Sequence, residues 1–241
     1  MNSPFKKDYW LTKQLGKIAY QLNIDNMDKD IFLDKWKKFD GASGGNKYFV
    51  YSKVNTDKIG IFSFLGSEGY KLIDTNIKLA LHGRIVKKRI FPENIEFIFA
   101  EKNHQNLVGL IAHNNFTYSR FHLDPQISNS TANQLKQNWA ENYFLGKRGD
   151  ELVLALIDGI PVGFLQLIIK NNDLLIDLIC VNKKNQDQGI ASGMIQFADH
   201  QIQHSCIKVG TQIGNIPSIK LYLKLGFIIT GSDYVFHYHS L

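Results

Sequence analysis

The chain has 241 residues, of which 44% are hydrophobic and 21% are charged, and its formal net charge is +6. This length is long for one small domain and predicts one and a half to two domains, with ample apolar material for a core. No apolar run approaches the length of a membrane span, and the first residues lack the apolar region of a signal peptide. We therefore expect a cytoplasmic protein that does not associate with membranes.

The positive charge is spread along the chain. The lysines are scattered, with short clusters such as the run Val86-Lys-Lys-Arg, and no recognition-helix, RNP or zinc-finger pattern accompanies them. A basic balance also suits a protein that binds a phosphorylated small molecule. We expect phosphate-bearing small molecules as partners, and no nucleic acid.

The first ninety residues have the pattern of a small α/β extension. After a segment over 10–22, we expect a helix over 28–39, a Gly/Ser loop over 41–45, a strand over 47–52, a helix ending at Gly66 and a strand over 71–81. These two βα-like units are too few for a familiar independent domain. Residues 1–90 are therefore predicted to pack against the rest of the chain and to contribute to an acceptor site.

Charges and Pro92 interrupt the pattern over 82–94, which we interpret as the link to a second domain over 91–241. That domain is predicted to contain a hairpin over 153–169 that turns at Asp158-Gly159, a strand over 174–181, a helix, a strand over 207–212, a second helix and a strand over 234–239. The strand over 174–181 is almost wholly apolar, so we expect it to be buried on both faces.

A glycine turn follows this apolar strand. The chain reads Gln186-x-x-Gly189-x-Ala191 and continues as an amphipathic helix. Gly189 and Ala191 leave room for a diphosphate near the backbone, and the free N–H groups at the helix start favour its negative charge. A glycine at a strand-to-helix junction also occurs in folds that bind no phosphate, so the turn alone is weak evidence.

A second bounded helix follows the next strand. Asn215 suits its N-cap, Pro217 is tolerated in its first turn, and Gly226 suits the C′ position after its last turn. The whole segment reads Asn-x-x-x-x-x-x-Tyr-x-x-x-Gly-Phe, with its tyrosine at Tyr222.

Together the two motifs resemble those of the GCN5-related N-acetyltransferase (GNAT) superfamily, and the order of elements from about residue 95 also matches. The resemblance implies a mixed, mostly antiparallel central sheet flanked by helices, with acetyl-CoA or another acyl-CoA as co-substrate. Lys183 and Gln186 depart from the usual proline and arginine of the motif. The cofactor-binding residues that the resemblance implies are Ile179, Cys180, Val181, Gln186, Asp187, Gln188, Gly189, Ile190, Ala191, Ser192, Asn215, Ser218 and Tyr222.

A narrower resemblance covers almost the whole chain. Trp10 begins a Trp-x-x-x-x-Leu-Gly motif, a Leu-Gly-x-x-Gly-Tyr turn precedes the strand that ends Leu-Ala-Leu, and Ser119-Arg-Phe precedes a helix with Trp139. These features are similar to the dTDP-fucosamine acetyltransferase branch, which acylates nucleotide-linked deoxyamino sugars for surface polysaccharides such as the lipopolysaccharide O-antigen. The acceptor contacts that this implies are Trp10, Arg120, Phe121 and His122. For Arg120, the alternative is a surface arginine without a role.

Amide formation requires a neutral amine, stabilisation of the charge on the thioester oxygen, and a proton for the leaving thiolate. We expect a backbone N–H within 179–181, freed where the sheet splays, to stabilise that oxygen. The family motif places Tyr222 to protonate the sulfur. The alternative for Tyr222 is a core tyrosine packed on Ile219 and Leu225.

Two carboxylates are candidates for the general base. Asp177 lies in a run too apolar for an unpartnered carboxylate, so it is either functional or paired in a salt bridge. Asp74 matches a carboxylate position in the resembling branch and is preferred. Either could instead be an ordinary strand aspartate that faces solvent.

Cysteine and histidine chemistry is not expected. Cys180 and Cys206 form neither a disulfide framework nor a zinc set, and Cys180 is interpreted as a small buried hydrophobe. The pairs His200/His204 and His237/His239 have chelating spacings, but no carboxylate-rich motif accompanies them, so we predict no metal.

The sequence thus predicts an acyl-CoA-dependent N-acyltransferase acting on a nucleotide-linked, dTDP-type amino sugar. Alternatives are the same chemistry on another small amine, a peptide amine or an antibiotic, a CoA-binding sensor, and, most distantly, a nucleic-acid binder. The sequence leaves open the base, the C3 or C4 amine, the acyl chain and whether the chain forms a homodimer.

Overall fold

The computed structural model describes residues 3–24, 29–42, 45, 47–86 and 89–240. The chain forms two compact units. The first contains residues 1–77, 120–131 and 231–241, and the second contains residues 78–119 and 132–230. Each unit therefore draws on separate stretches of sequence, unlike the contiguous segments 1–90 and 91–241 expected for two domains.

The first unit is a small α/β structure with a mixed sheet. Strands β1 and β2 are antiparallel, β2 and β3 are parallel, and β3 pairs antiparallel with β10 from Asn55↔Asp233 to Phe49↔His239. The last strand of the chain thus completes the sheet of the first unit. Its elements are β1 (Phe5–Lys7), α1 (Tyr9–Leu15), β2 (Ile18–Leu22), α2 (Lys29–Ala42), β3 (Tyr48–Asn55), α3 (Ile59–Ser67), the first part of β4 (Lys71–His82) and the last part of β10 (Ile228–His239).

Local chemistry explains the boundaries of α1. The Leu11 amide donates to Asp8 Oδ1 at 2.8 Å, which caps the helix start, and Gly16 ends the helix with a φ of 64°. The core of the unit is rich in aromatic residues; among its members are Phe5, Phe32, Trp36, Tyr48, Phe64, Tyr70 and Phe236. Such rings bury large apolar areas and stabilise a unit of modest size.

The second unit contains a mixed, mostly antiparallel sheet. The strands β5, β6, β7 and β8 are antiparallel neighbours, and β8 pairs parallel with β9. Its elements are β5 (Ile95–Phe99), α4 (Gln105–Asn115), most of α5 (Asn129–Glu141), β6 (Glu151–Ile157), β7 (Ile160–Lys170), β8 (Asp173–Val181), α6 (Ile190–Gln201), β9 (Cys206–Gln212) and α7 (Ile216–Lys224), with the last part of β4 and the first part of β10.

Most predicted elements are confirmed. The hairpin turns at Asp158 and Gly159, both with positive φ, and α7 begins after an Asn215 cap. The predicted helix over 28–39 is α2, although residue 28 lies outside the described residues. The predicted loop over 41–45 begins inside α2, because Gly41 belongs to that helix. Residues 43 and 44 of the loop lie outside the described residues.

Strand β8 corrects one expectation. Its residues alternate between half-buried and fully buried until Cys180 and Val181, so it is not fully buried on both faces. No helix among the described residues is both long enough and apolar enough to cross a bilayer.

Candidate functional site

The turn between β8 and α6 has the backbone expected of a phosphate-binding turn. Gly189 is the N-cap of α6 with a φ of 79°, and Asp187 also has a positive φ, 61°. Gln186 Nε2 donates to the Val181 carbonyl at 3.1 Å, and Ser192 Oγ donates to the Gly189 carbonyl at 2.6 Å. The side chains at 186 and 192 therefore fix the turn, and the N–H groups at the start of α6 are positioned for an anion.

The space against Gly189 is filled by an arginine that the sequence motif does not include. A Cβ atom at position 189 would overlap the Arg89 guanidinium, which also lies over the Phe91 ring at 5.4 Å. The Arg89 amide donates to Gln196 Oε1 at 3.2 Å, so this segment runs along α6. The positive φ at 189 favours glycine, and a side chain there would also displace the Arg89 guanidinium. The basic run after Val86 was the sequence signal for this contact.

The sheet of the second unit splays beside this turn. The parallel β8–β9 ladder ends at Ile176↔Val209, whereas the β7–β8 ladder continues to Gly163↔Val181. Leu178 pairs with Gln166 and Ile176 with Leu167, which leaves Asp177 as the extra residue of a bulge. The predicted splay is therefore present.

The splay leaves part of the β8 backbone unpaired by β9. The Asn182 amide donates to the Val162 carbonyl at 2.8 Å, and N–H groups alternate in direction along a strand. The N–H groups of Ile179 and Val181 therefore point away from β7, towards the side where the β9 ladder has ended. This geometry supports the predicted oxyanion donor and narrows it to two residues.

Tyr222 lies on α7 and is only 2% exposed. Its ring packs on Phe227, with centroids 5.4 Å apart, and burial raises the pKa of its hydroxyl above the usual value. The hydroxyl is therefore protonated at neutral pH, as a proton donor must be. Asn215 and Ser218 hold the start of the helix, because the Ser218 amide donates to Asn215 Oδ1 at 3.3 Å.

Cys180 is confirmed as a buried apolar residue. It belongs to a core cluster that includes Val108 and Phe164. Burial raises the pKa of its thiol to about 12, so the thiolate that a nucleophile would need is absent at neutral pH.

The Asp177 carboxylate is held in a hydrogen-bonded network. Arg148 donates to both carboxylate oxygens, at 2.6 and 2.7 Å. Trp139 Nε1 at 2.8 Å and Gln166 Nε2 at 3.2 Å donate to the same group. Of the two sequence interpretations of Asp177, the geometry supports the salt bridge. A carboxylate that already accepts these bonds is a poor general base, which corrects its inclusion among the catalytic candidates.

The residues predicted to contact the acceptor lie in the first unit. Asp74 is buried in β4, and Trp10 and His122 are half-buried. The Arg120 guanidinium lies 4.0 Å from the centroid of the Tyr51 ring, and Phe121 is 1% exposed. Arg120 is half-buried and contacts Tyr51, and Phe121 offers little ring area to a ligand.

The first unit also contains a buried carboxylate–histidine cluster that was not predicted from the sequence. Asp124 Oδ2 lies 2.6 Å from His237 Nδ1 and 2.8 Å from His239 Nε2. No carboxylate-rich motif lies beside this histidine pair in the sequence, because Asp124 comes from a loop more than a hundred positions earlier in the chain. His204 likewise contacts a carboxylate, since its Nε2 lies 3.0 Å from Asp199 Oδ1. His204 itself lies beyond the end of α6.

The sequence of this chain is similar to one protein-family model and to several known proteins. The model of the Acetyltransferase (GNAT) family matches residues 116–227. The spore coat polysaccharide biosynthesis protein SpsD of Bacillus subtilis is 26% identical over 194 residues, which cover 78% of this chain and 66% of that protein. The L-amino acid N-acetyltransferase AaaT of Escherichia coli is 29% identical over 102 residues, which cover 39% of this chain and 62% of that protein.

The chain thus spans just under two thirds of the length of these curated relatives. Among solved structures, a GCN5-related N-acetyltransferase from Kribbella flavida has a TM-score of 0.64 at 13% identity, covering 98% of this chain and 87% of that one. At that identity the likeness concerns the fold. The family-model match over 116–227, the GNAT-like fold and the splayed sheet beside a glycine turn together make this chain similar to the GNAT acetyltransferases.

Proposed function

We propose that this chain is an acyl-CoA-dependent N-acyltransferase whose acceptor is the amino group of a nucleotide-linked amino sugar. The observation that carries the enzyme assignment is the combination, in one unit, of the Gly189 turn with the splay that frees the Ile179 and Val181 N–H groups. The turn suits a diphosphate, and the freed N–H groups suit the oxygen of a thioester. Acetyl-CoA, or a longer acyl-CoA such as the 3-hydroxybutyryl thioester, is the proposed donor.

The reaction is a direct transfer. The amine nitrogen attacks the thioester carbonyl, the C–N bond forms and the C–S bond breaks, and the thiolate leaves with a proton from Tyr222. Tyr222 is proposed for this role because the resemblance to the GNAT motif implies it and because a tyrosine hydroxyl is protonated at neutral pH. The nitrogen of the new amide loses its second proton, and water relays that proton to the Tyr222 phenolate, so the step balances.

The sugar ammonium must lose a proton before attack. We propose Asp74 as the base, directly or through water, since Asp177 is held by Arg148. The buried position of Asp74 in β4 supports a specific role, because carboxylates are seldom buried without one.

The sugar acceptor is supported by the similarity to SpsD, whose name refers to polysaccharide biosynthesis. A free amino acid is the second candidate, favoured by the similarity to AaaT. Both acceptors require the same transfer chemistry, so they are separated by substrate and not by site geometry.

A panel assay tests the proposal. The protein is incubated with acetyl-CoA and, separately, with dTDP- and UDP-linked amino sugars and with free amino acids, and the released thiol is measured. Thiol release with a nucleotide-linked amino sugar is expected, with an acylated product found by mass spectrometry. Release with amino acids alone would replace the acceptor, and binding of acetyl-CoA without release from any amine would indicate a sensor.

A further inference from the structure

The first unit contains a buried chain of charged and titratable side chains that ends at an open cleft. Asp124 contacts both His237 and His239, and His239 Nδ1 lies 2.7 Å from Lys17 Nζ. At the other end, His237 Nε2 lies 3.2 Å from an Arg120 nitrogen. Both histidines are fully or almost fully buried, whereas Lys17 reaches the cleft.

The contacts assign a tautomer to each ring. Lysine and arginine can only donate, so His239 Nδ1 and His237 Nε2 are acceptors without hydrogen. The remaining nitrogens, His239 Nε2 and His237 Nδ1, then carry the hydrogens and donate to Asp124. Burial alone would raise the pKa of Asp124, but these two bonds outweigh burial and hold its pKa well below the usual value.

This arrangement opposes a metal ion, although Asp124, His237 and His239 have the composition of a metal site with ligand atoms within 4.8 Å of one another. A neutral histidine that binds a metal through one nitrogen carries a hydrogen on the other and needs an acceptor there. Here the outer nitrogens face the cations Lys17 and Arg120. The cluster is therefore suited to orient Lys17 by hydrogen bonds.

Lys17 lines an open cleft of about 370 Å³ together with Thr12, Gly16, Ile18 and Lys47. An ammonium has three donors, and the bond to His239 uses one. Burial lowers the pKa of Lys17, the charge of Asp124 opposes this, and the charge of Lys47 lowers it further. Two positive groups that repel each other at one cleft are stabilised by an anion between them.

We propose that Lys17 and Lys47 bind a phosphate group in this cleft and that the Asp124–His239 pair positions the Lys17 ammonium for it. Lysine is a common phosphate ligand as a point charge, and a diphosphate can contact two ammonium groups at once. The identity of the ligand as the diphosphate of a nucleotide sugar rests on the proposed function. The phosphate site itself is independent of that function.

The test is calorimetric titration of the full chain with dTDP and with inorganic pyrophosphate, in saturating coenzyme A so that the Gly189 turn is filled. Lys17→Met and Lys47→Met keep most of the side-chain stem and remove the charge. Each is expected to weaken binding by about tenfold or more, the effect of one lost charged contact. Lys13→Met, an exposed lysine of α1 outside the cleft, is the matched control and should bind as the unaltered protein does.

His239 gives a second, positional test. Asn at 239 keeps an acceptor near the place of Nδ1 and so retains the contact with Lys17, whereas Gln keeps a donor near Nε2 and loses that contact. His239→Gln should weaken pyrophosphate binding and His239→Asn should largely retain it. A merely structural role would lower the thermal midpoint of both variants without separating their affinities.

Several outcomes would overturn the site. Pyrophosphate binding that is unchanged in Lys17→Met and Lys47→Met, or absent from the unaltered protein, contradicts it. Binding of pyrophosphate but not dTDP retains a phosphate site and rejects the nucleotide diphosphate as its ligand. Failure of acetyl-CoA to bind, measured separately, would count against the proposed function alone, because Lys17 and Lys47 lie in the first unit.

Discussion

At the scale of single residues, removal of the Tyr222 hydroxyl tests whether this tyrosine is a proton donor or only a packed core residue. Tyr222→Phe keeps the ring that packs on Phe227 and removes only the proton donor. We expect the thermal midpoint to change little and kcat to fall by about 10²-fold, the usual effect of a lost general acid. Steady-state thiol release and a thermal melt measure the two effects. An unchanged kcat would show that water protonates the thiolate.

The two aspartates should respond differently to the same change. Asp177→Asn breaks the paired bonds with Arg148 and should lower stability by about 1.5–3 kcal/mol, as expected for lost hydrogen bonds to a charged group. Its kcat should remain near that of the unaltered protein. Asp74→Asn should instead lower kcat, most strongly at low pH where the amine is most protonated. Equal kcat in both variants across pH would remove Asp74 as the base.

His237 predicts a pH dependence of stability. Burial lowers its pKa from 6.5 to about 4, against the effect of the bond to Asp124. Because the folded pKa lies below the unfolded value, stability is greatest above pH 6.5 and is lost as the pH falls from 6.5 towards 4, with a slope approaching about 1.4 kcal/mol per pH unit.

The His237 prediction is tested by denaturant unfolding at several pH values. His237→Asn keeps a donor towards Asp124 and removes the titrating ring, so its stability should depend less on pH in this range. His82→Asn, at an exposed histidine, is the control and should retain the full dependence. If His237→Asn shows the same slope as the control, another group causes the loss.

At the scale of elements, the turn before α6 can be tested by a single methyl group. Gly189→Ala places a side chain at a φ of 79° and displaces Arg89, so acetyl-CoA affinity should fall by about tenfold, or 1.4 kcal/mol. Gly214→Ala is the matched control, since a Cβ atom there meets open space. Calorimetric titration compares the two variants. Equal affinities would mean that the turn does not contact the diphosphate.

Sequence patterns predicted those elements whose signals are local. The Asp158-Gly159 turn, the Asn215 cap and the apolar run of β8 each reflect the preferences of neighbouring residues, and each element was placed correctly. The end of the β8–β9 ladder was also anticipated, but only through the family resemblance.

Contacts between distant segments could not be predicted in the same way. Arg148 lies 29 positions from Asp177, and Asp124 lies more than a hundred from His237. No local preference specifies such pairs, since they depend on how the strands and loops are arranged. The salt bridge of Asp177, the contact of Arg89 with Gly189 and the histidine cluster were therefore found in the structure alone.

At the scale of the whole molecule, each unit is built from stretches that are not contiguous in the sequence. Residues 231–241 belong to the first unit, where seven consecutive pairs join β10 to β3, although the preceding residues belong to the second. Residues 78–86 and 89–91 belong to the second unit, although they precede the predicted boundary. A contiguous cut near residue 91 therefore cannot separate two complete units.

A chain that begins at Pro92 tests this arrangement. It lacks β3, the antiparallel partner of β10, and it lacks Arg84, whose guanidinium contacts the carbonyl of Asp199 on α6. The apolar β10 residues Val235 and Phe236, each about 2% exposed or less, would lose the strand that pairs beside them. We expect this truncated chain to aggregate or to lack a cooperative unfolding transition, because an unpaired strand edge with apolar side chains promotes association. Size-exclusion chromatography and thermal melts measure this.

The matched control is the full chain with a protease site placed at residue 91, which keeps every strand present after cleavage and should retain one folded species. If the chain from Pro92 is instead monomeric, melts cooperatively and binds acetyl-CoA, then the second unit folds without the strands of the first unit.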